Sequence, residues 1–517
     1  MYVIDLFVPV NKGNDIKELI AEKLQIRATD ILSFKILKKS LDARNKGNIH
    51  WIYRIEFETM AYNSNFKKYG VNRFDVLTKE EFVIKRSPKE SSVIIVGMGP
   101  AGIFSALSLA LSGVHCTIIE RGKAINGRIK DVDNFLKNRV FNEESNIQFG
   151  EGGAGTFSDG KLTARTKHPF YHFVINEFIK AGAPEEIAYL SKPHIGTDRL
   201  RKVIINLRKK LLSLGVKILF EERLEFLIIK EGVVKGVVTN KGELYSDYVV
   251  LAIGYSARDT LTKLVNQGLF IEPKGFAMGY RLELPQDVIN KAMYGSYSEN
   301  LPPAEFFHTK YFPDRTLSVY TFCMCPGGVV VPANSSPNQL VLNGMSRYRR
   351  DGYFGNAAIV VSYNPQMWHN KVSGGILLQQ KIEEQAFLSG GANYDAPALS
   401  VTDFVNKKVT KHNFKSSYPF GLKAYPIWEF YIENYDYYRA ALLDFGKKMK
   451  GLISEESLLI APETRTSAPY RITRDENLMS LTIKNLFPSG EGAGYAGGII
   501  TSAVDGLKVA EKIKSLG

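Results

Sequence analysis

Ser92-Val-Ile-Ile-Val-Gly-Met-Gly-Pro-Ala-Gly-Ile-Phe-Ser-Ala-Leu-Ser-Leu-Ala-Leu-Ser-Gly-Val-His-Cys-Thr-Ile-Ile-Glu-Arg121 decides the fold of this chain. An apolar strand, Val93 to Val96, runs into Gly97-x-Gly99-x-x-Gly102. A helix follows, and a second apolar strand ends on Glu120. Gly97 permits the tight turn, Gly99 lets backbone N–H groups approach a pyrophosphate, and Gly102 lets the helix lie against the strand. The helix N-terminus, opened by Pro100 and Ala101, offers free N–H groups and the positive end of its dipole. Glu120, about twenty residues on, is placed to accept from an adenosine ribose, with Arg121 beside it. The unit reads as a dinucleotide site.

Two later segments extend it. Tyr248-Val-Val-Leu-Ala-Ile-Gly254 is a further strand of the same sheet, with Ala252 and Gly254 small enough to pass close to a ligand. Asn485-Leu-Phe-Pro-Ser-Gly-Glu-Gly-Ala-Gly-Tyr-Ala-Gly-Gly-Ile-Ile-Thr-Ser-Ala-Val-Asp-Gly-Leu507 is a short strand, an acid after glycine, a glycine-rich loop and a closing helix. Such an acid, Glu491 after Gly490, suits a ribityl chain. A helix beginning near Gly498 and Ile499 points its positive end at the flavin edge where charge gathers on reduction. A nicotinamide-only protein has no use for this element, so the expected cofactor is FAD.

The two halves of the site lie far apart in sequence, so the nucleotide domain is interrupted. The reading is a small N-terminal α+β unit (residues 1–84), the polar linker Lys85-Arg-Ser-Pro-Lys-Glu-Ser-Ser92, and a discontinuous FAD-binding domain (90–268 and 461–517). An inserted α+β substrate or cap domain (269–460) is rich in Tyr, Phe, Pro and Asn. In the N-terminal unit a strand–helix–strand–strand order is expected, with Lys38 to Lys46 a polar connector.

Composition sets bounds. The 517 residues are 44% hydrophobic and 23% charged, an ordinary globular balance. Three cysteines do not make a disulfide scaffold, and no stretch reads as a signal peptide or membrane span, so the expected location is the cytoplasm. The net charge of +14 raises nucleic acid as a partner. Basic runs such as Arg201 to Lys210 fall on helix-periodic segments and read as solvated faces. RNA docking through the basic N-terminal unit, which has no aromatic stacking motif, is kept as the alternative function.

Several blocks resemble one family of FAD-dependent, NAD(FAD)-utilising dehydrogenases: Asn146-Ile-Gln-Phe-Gly-Glu-Gly-Gly-Ala-Gly-Thr-Phe-Ser-Asp-Gly-Lys-Leu162, Lys192-Pro-His-Ile-Gly-Thr-Asp198, Tyr320-Thr-Phe-Cys-Met-Cys-Pro-Gly-Gly328, Asn343-Gly-Met-Ser346 and Glu463-Thr-Arg-Thr-Ser467. The resemblance covers nearly everything from residue 90 onward. It implies an α/β fold of the glutathione-reductase type with one FAD, and names no substrate. Leu284 stands where the family commonly carries a histidine after Arg281-x-Glu283, which weakens a proton-transfer role for that segment.

Candidate site residues follow. Gly155, Thr156, Ser158 and Lys161 belong to a glycine- and hydroxyl-rich loop read as flavin lining, against a structural turn or a second dinucleotide site. Cys323 and Cys325 are either packing groups or a redox pair; a disulfide between alternate strand residues would be strained. Arg281 and Arg465 suit an anionic substrate or the reduced flavin, with ion pairing as the plainer duty. His194 is a structural imidazole or an acid–base group. His168 and His172 lack a third partner, so no metal is expected. The expected chemistry is hydride transfer between a small-molecule substrate and flavin N5. No second glycine unit exists for NAD(P)H, which is left as a transient visitor.

Overall fold

The computed structural model describes residues 1–516 except 14, 62–65, 67, 74–81, 83, 87–89, 165, 167, 298, 300 and 412. Residues 87–89 of the expected linker therefore lie outside the described residues.

Alternation builds the N-terminal unit. Ile4, Leu6 and Val8 of strand Tyr2–Pro9 face inward, with Tyr53, Ile55 and Phe57 of His50–Thr59 beside them. Helix Ile16–Leu24 covers this face with Ile16, Leu19, Ile20 and Leu24, and Asp15 caps its start by accepting from the Lys17 and Glu18 amides. Strand order is Ile31–Asp42, His50–Thr59, Tyr2–Pro9, Asn72–Arg73. The expected connector at Lys38 is instead strand as far as Asp42, because its backbone continues the ladder to His50. Lys39 also docks the unit: its amide donates to the Tyr189 carbonyl (2.8 Å) and its carbonyl accepts from Ser191 (2.9 Å).

The nucleotide unit is a five-stranded parallel sheet in the order Leu486–Pro488, Tyr248–Leu251, Ser92–Val96, His115–Glu120, Lys217–Phe220. Its strands are apolar on both faces because both are covered. Val93 and Ile95 pack under the helices Pro100–Leu111, Thr197–Ser213 and Ile499–Leu516. Ile94 and Val96 pack toward helix Arg258–Asn266 and the antiparallel strands Leu224–Lys230 and Val233–Thr239. Each such residue contributes roughly 1.5–3 kcal/mol by burial.

The inserted unit is a seven-stranded sheet ordered Thr309–Phe312, Leu317–Cys325, Phe354–Tyr363, Phe276–Pro285, Leu458–Glu463, Ala396–Ser400, Leu422–Ala424. Phe276–Pro285 is buried at every residue. The strand ending at Glu463 pairs with it, so the inserted sheet runs three residues past the boundary expected at 460.

One buried ion cluster joins the two larger units. Glu383, on helix Gly374–Gly390, accepts from Arg258 (2.7 and 3.0 Å), Arg465 (2.9 and 3.1 Å) and the Thr464 hydroxyl (2.7 Å). Burial opposes its charge, but the two guanidiniums overcome that and hold the carboxylate down to about 2. Glu383→Ala would strand two buried cations. It is expected to cost about 3–5 kcal/mol, read as a lower denaturant midpoint; a midpoint equal to wild type would contradict this account of the interface.

Candidate functional site

The glycines of the nucleotide unit divide into two kinds. A Cβ on Gly102 would lie 2.0 Å from the Gly97 carbonyl oxygen and 3.3 Å from Ile95, so the helix Pro100–Leu111 touches the strand only because residue 102 has no side chain. Gly97 has φ +102 and the Ala252 carbonyl 2.4 Å from its absent Cβ. These two serve the fold. Gly99, Gly497 and Gly498 do not: a Cβ on Gly99 would meet only the Gly153 Cα at 3.9 Å, and one on Gly497 or Gly498 would meet nothing within 4 Å. None of the three needs a left-handed backbone. Their missing side chains keep a floor clear that the protein itself does not fill.

This floor lies between two helix N-termini. Gly99 caps Pro100–Leu111 without any side-chain hydrogen bond, leaving the first-turn N–H groups free. Helix Ile499–Leu516 crosses it where Gly506 meets the Ala101 carbonyl, and Ser105 Oγ donates to the Gly506 carbonyl at 2.9 Å. Gly490 lies against Ala101, Gly492 against the Gly254 carbonyl, and Gly155 against Ile499. Residues 97–102, 153–155, 252–254 and 490–499 thus converge from four stretches of chain.

Glu491 supplies the second observation on what fits. No donor among the described residues reaches its carboxylate, and burial, opposed by Lys274, pushes it up to about 7. A flavin ribityl hydroxyl is a donor of the kind this carboxylate lacks. The open glycine floor, the uncapped first turn after Gly99 and an acid with no donor among the described residues together fit FAD.

Other candidates stand differently from expectation. Glu120 is buried, and its two oxygens accept three backbone amides: Met98 (2.8 Å), Gly122 (2.9 Å) and Gly150 (3.0 Å). It clasps three loops together. Arg121 forks between Glu144 and Asp259 and lies 4.0 Å over the Phe149 ring. A cavity of about 360 Å³ opens by Asp131, Asn134 and Glu143, and one of about 190 Å³ by Arg121, Lys123, Arg223 and Asn240. Thr156 is buried with its hydroxyl on the Glu151 carbonyl, and Ser158 bonds the Gly155 carbonyl; both brace their loop. Arg465 is consumed by Glu383 and by Ser256 and Ser335, so an anionic ligand has no claim on it.

Lys161, Arg281, Cys323 and Cys325 come together in one cluster. Lys161 Nζ bonds Asp159 (2.7 Å) and the Met324 carbonyl. Arg281 is wholly buried and donates to Asn356 Oδ1 (2.7 and 2.9 Å), the Cys323 carbonyl (2.9 Å) and Cys325 Sγ (3.5 Å). Its guanidinium passes through space that any side chain on Gly344 would occupy, which explains the glycine in Asn343-Gly-Met-Ser346. Glu463 completes the cluster at 3.4 Å from Arg281; burial outweighs that pairing and pushes its carboxyl up to about 7. Sequence reasoning missed Glu463, though it stands two residues before the Arg465 it considered. His194 sits at the edge, its Nε2 3.0 Å from the Tyr348 carbonyl and its ring stacked on Tyr348; burial and then Arg350 lower its proton affinity. Among the described residues no group of His, Cys, Asp or Glu could hold a metal, and no helix is long and apolar enough to cross a membrane.

Comparison with known proteins agrees with this geometry. Residues 90–130 match an FAD binding domain, 275–466 the C-terminal domain of FAD-dependent proteins, and 2–58 a domain of unknown function. An uncharacterized protein of Clostridium beijerinckii is 39% identical over 97% of this chain and 96% of its own, and the chain belongs to that protein's family. Its cofactor is FAD. Among solved structures, L-proline dehydrogenase from P. horikoshii aligns at 13% identity over 83% of this chain and 94% of its own, with a TM-score of 0.33. L-amino acid deaminase from Proteus myxofaciens, in complex with anthranilate, gives 13%, 85%, 94% and 0.35. Likeness at that level carries no argument about activity.

Two outcomes follow from the glycine floor and Glu491. Gly99→Ala and Gly498→Ala should leave the apoprotein's unfolding midpoint in place yet weaken FAD retention, while Gly102→Ala should cost about 1–3 kcal/mol or more of stability itself. Equal FAD retention in all three would contradict the division. The folded carboxyl of Glu491 binds its proton more tightly than its ordinary value of 4.5, so apoprotein stability is present below that value and is lost as pH rises toward 7. Glu463 acts in the same sense. Glu491→Gln should therefore stabilise the apoprotein at pH 8 by on the order of 1–2 kcal/mol, with little change at pH 4.5; equal gains at both would refute the assignment.

Proposed function

We propose that this chain is an FAD-dependent oxidoreductase with a flavin site of the glutathione-reductase type, moving a hydride between a small-molecule substrate and flavin N5. The observation that carries the reading is the floor left open by the missing side chains of Gly99 and Gly498, together with Glu491, an acid with no donor among the described residues. The pyrophosphate is assigned to the free first-turn amides after Gly99, and the ribityl chain to Glu491. The adenosine is assigned to the cavity of about 190 Å³ beside Arg121 and Asn240.

Bound FAD would supply the two-electron acceptor and donor for the substrate step. The chain's own residues orient and polarise. Helix Ile499–Leu516 sets its positive end toward charge that develops on flavin reduction. Lys161, held by Asp159 and partly exposed, fixes positive charge on the side of the inserted sheet, which suits an anionic substrate or substrate group. Glu463, with a proton affinity near neutrality, can hold or accept a proton there. His194, already on the Tyr348 carbonyl, is a bracing group in this reading.

The parallel sheet flanked by a three-stranded antiparallel sheet supports the discontinuous domain arrangement, with the inserted sheet as the substrate-side wall. The test is to purify the protein anaerobically and offer NADH, NADPH and fractionated metabolites while following flavin absorbance. Bleaching by one small-molecule class, and its loss in Glu463→Gln with FAD retained, is the expected result. A flavin that only dithionite reduces would overturn the oxidoreductase reading and leave FAD a structural ligand.

A further inference from the structure

The strand Leu317–Cys325 loses its ladder register between Phe322 and Cys325. Cys323 lies in that break with φ +45, a left-handed conformation that costs a non-glycine residue about 1 kcal/mol or more. Simple alternation is therefore lost, and Cys325 Sγ donates to the Cys323 carbonyl at 3.6 Å. Two cations converge on the pair. Arg281 donates to the Cys323 carbonyl and to Cys325 Sγ, and Lys161 donates to the Met324 carbonyl between them.

Chain Cys116 shows what a packed thiol looks like here. It is surrounded by the nucleotide core, and burial alone pushes its thiol up to about 12. Cys323 is partly exposed, and the thiol of Cys325, then Lys161 and Arg281, favour its thiolate against burial and the charge of Glu463. Asp159, Arg350 and Glu305 complete the charged surroundings: Arg350 forks onto Asp159 (2.6 and 3.1 Å) and reaches Glu305 (2.9 Å). Strained backbone at a functional cluster is informative when, as here, fixed contacts hold it in place.

The cluster also borders the cofactor floor. Lys161 ends the loop whose Gly155 packs on Ile499 at the start of the closing helix. Tyr255 donates its hydroxyl to the Arg465 carbonyl, two residues past Glu463, and burial and then the charge of Glu491 raise its proton affinity.

We propose that Cys323 and Cys325 form a dithiol–disulfide centre that exchanges an electron pair with the flavin. This deepens the oxidoreductase reading and rests on it. In the reduced centre Cys323 is a thiolate and Cys325 a thiol. Oxidation makes one Sγ–Sγ bond, and the Cys325 proton and the electron pair pass to oxidised FAD, giving the disulfide and the singly protonated, reduced flavin anion. Atoms and charge balance, and the reverse step reduces the disulfide. Lys161 and Arg281 hold the thiolate; Cys325 closes the bond. A disulfide across one intervening residue is strained, and strained disulfides are the readily exchanged ones.

The experiment is an anaerobic dithionite titration of the FAD-bound protein, combined with iodoacetamide labelling and mass analysis of the peptide carrying both cysteines. After mild diamide oxidation, wild type should consume four electrons per flavin, the dithiol adding a two-electron couple to that of FAD. Cys325→Ser should consume two. Diamide should remove both labels from the peptide and lower its mass by two hydrogens. On the reduced apoprotein, Cys323 should alkylate with a midpoint below the ordinary thiol value of ~8.5, moving upward in Lys161→Met. Two electrons per flavin in diamide-treated wild type, with both cysteines still labelled, would overturn the proposal and leave the oxidoreductase reading intact. That reading fails separately if no substrate reduces the flavin.

Discussion

The carboxylate of Glu120 ties the site together. Its two oxygens accept backbone amides from the first glycine loop, from the end of its own strand and from the loop at Gly150. Hydrogen bonds to a charged acceptor contribute roughly 1.5–3 kcal/mol each, and these are buried. The consequence is geometric: Gly99 and Gly153 are brought within van der Waals range, so the loop carrying Asp159 and Lys161 is registered against the glycine helix.

A second constraint sets how the inserted sheet meets that floor. Glu383 lies between Arg258 of the nucleotide unit and Arg465 just beyond the inserted sheet, with Gln379 bonding Arg258 and the Thr464 carbonyl. Buried charges of this sort add little net stability over apolar packing, but they reject other arrangements strongly because a misplaced member is left unpaired. Such a cluster suits an interface that must hold Glu463 and Arg281 in a fixed relation to Tyr255 and Glu491. Precision of placement, rather than affinity between the units, is what it contributes.

Much of the nucleotide half was legible from residues 92–121 and 485–507, since glycine spacing, apolar strands and helix starts are local signals. Even there the loop-clasping duty of Glu120 was not legible. Its position was readable, but its partners at Gly122 and Gly150 depend on how a loop thirty residues later folds back. Arg465 illustrates the harder case: nothing around it announces Glu383, eighty-two residues earlier on a helix. The surroundings of the cysteines were illegible for a similar reason. Strand alternation was the right rule for Leu317 to Phe322, and it stops at a bulge that cross-strand pairing with Asn356 sets, not the local sequence.

In the proposed holoenzyme one FAD lies across the floor between Gly99 and Gly498, its flavin end at the inserted sheet. A crystal structure of the FAD-loaded protein tests this most directly. The pyrophosphate is predicted on the amides after Gly99, a ribityl hydroxyl on Glu491, and the isoalloxazine facing the Glu463–Arg281–Cys323 cluster. A flavin ring turned away from that cluster, or a Glu491 carboxylate still without a donor, would contradict it.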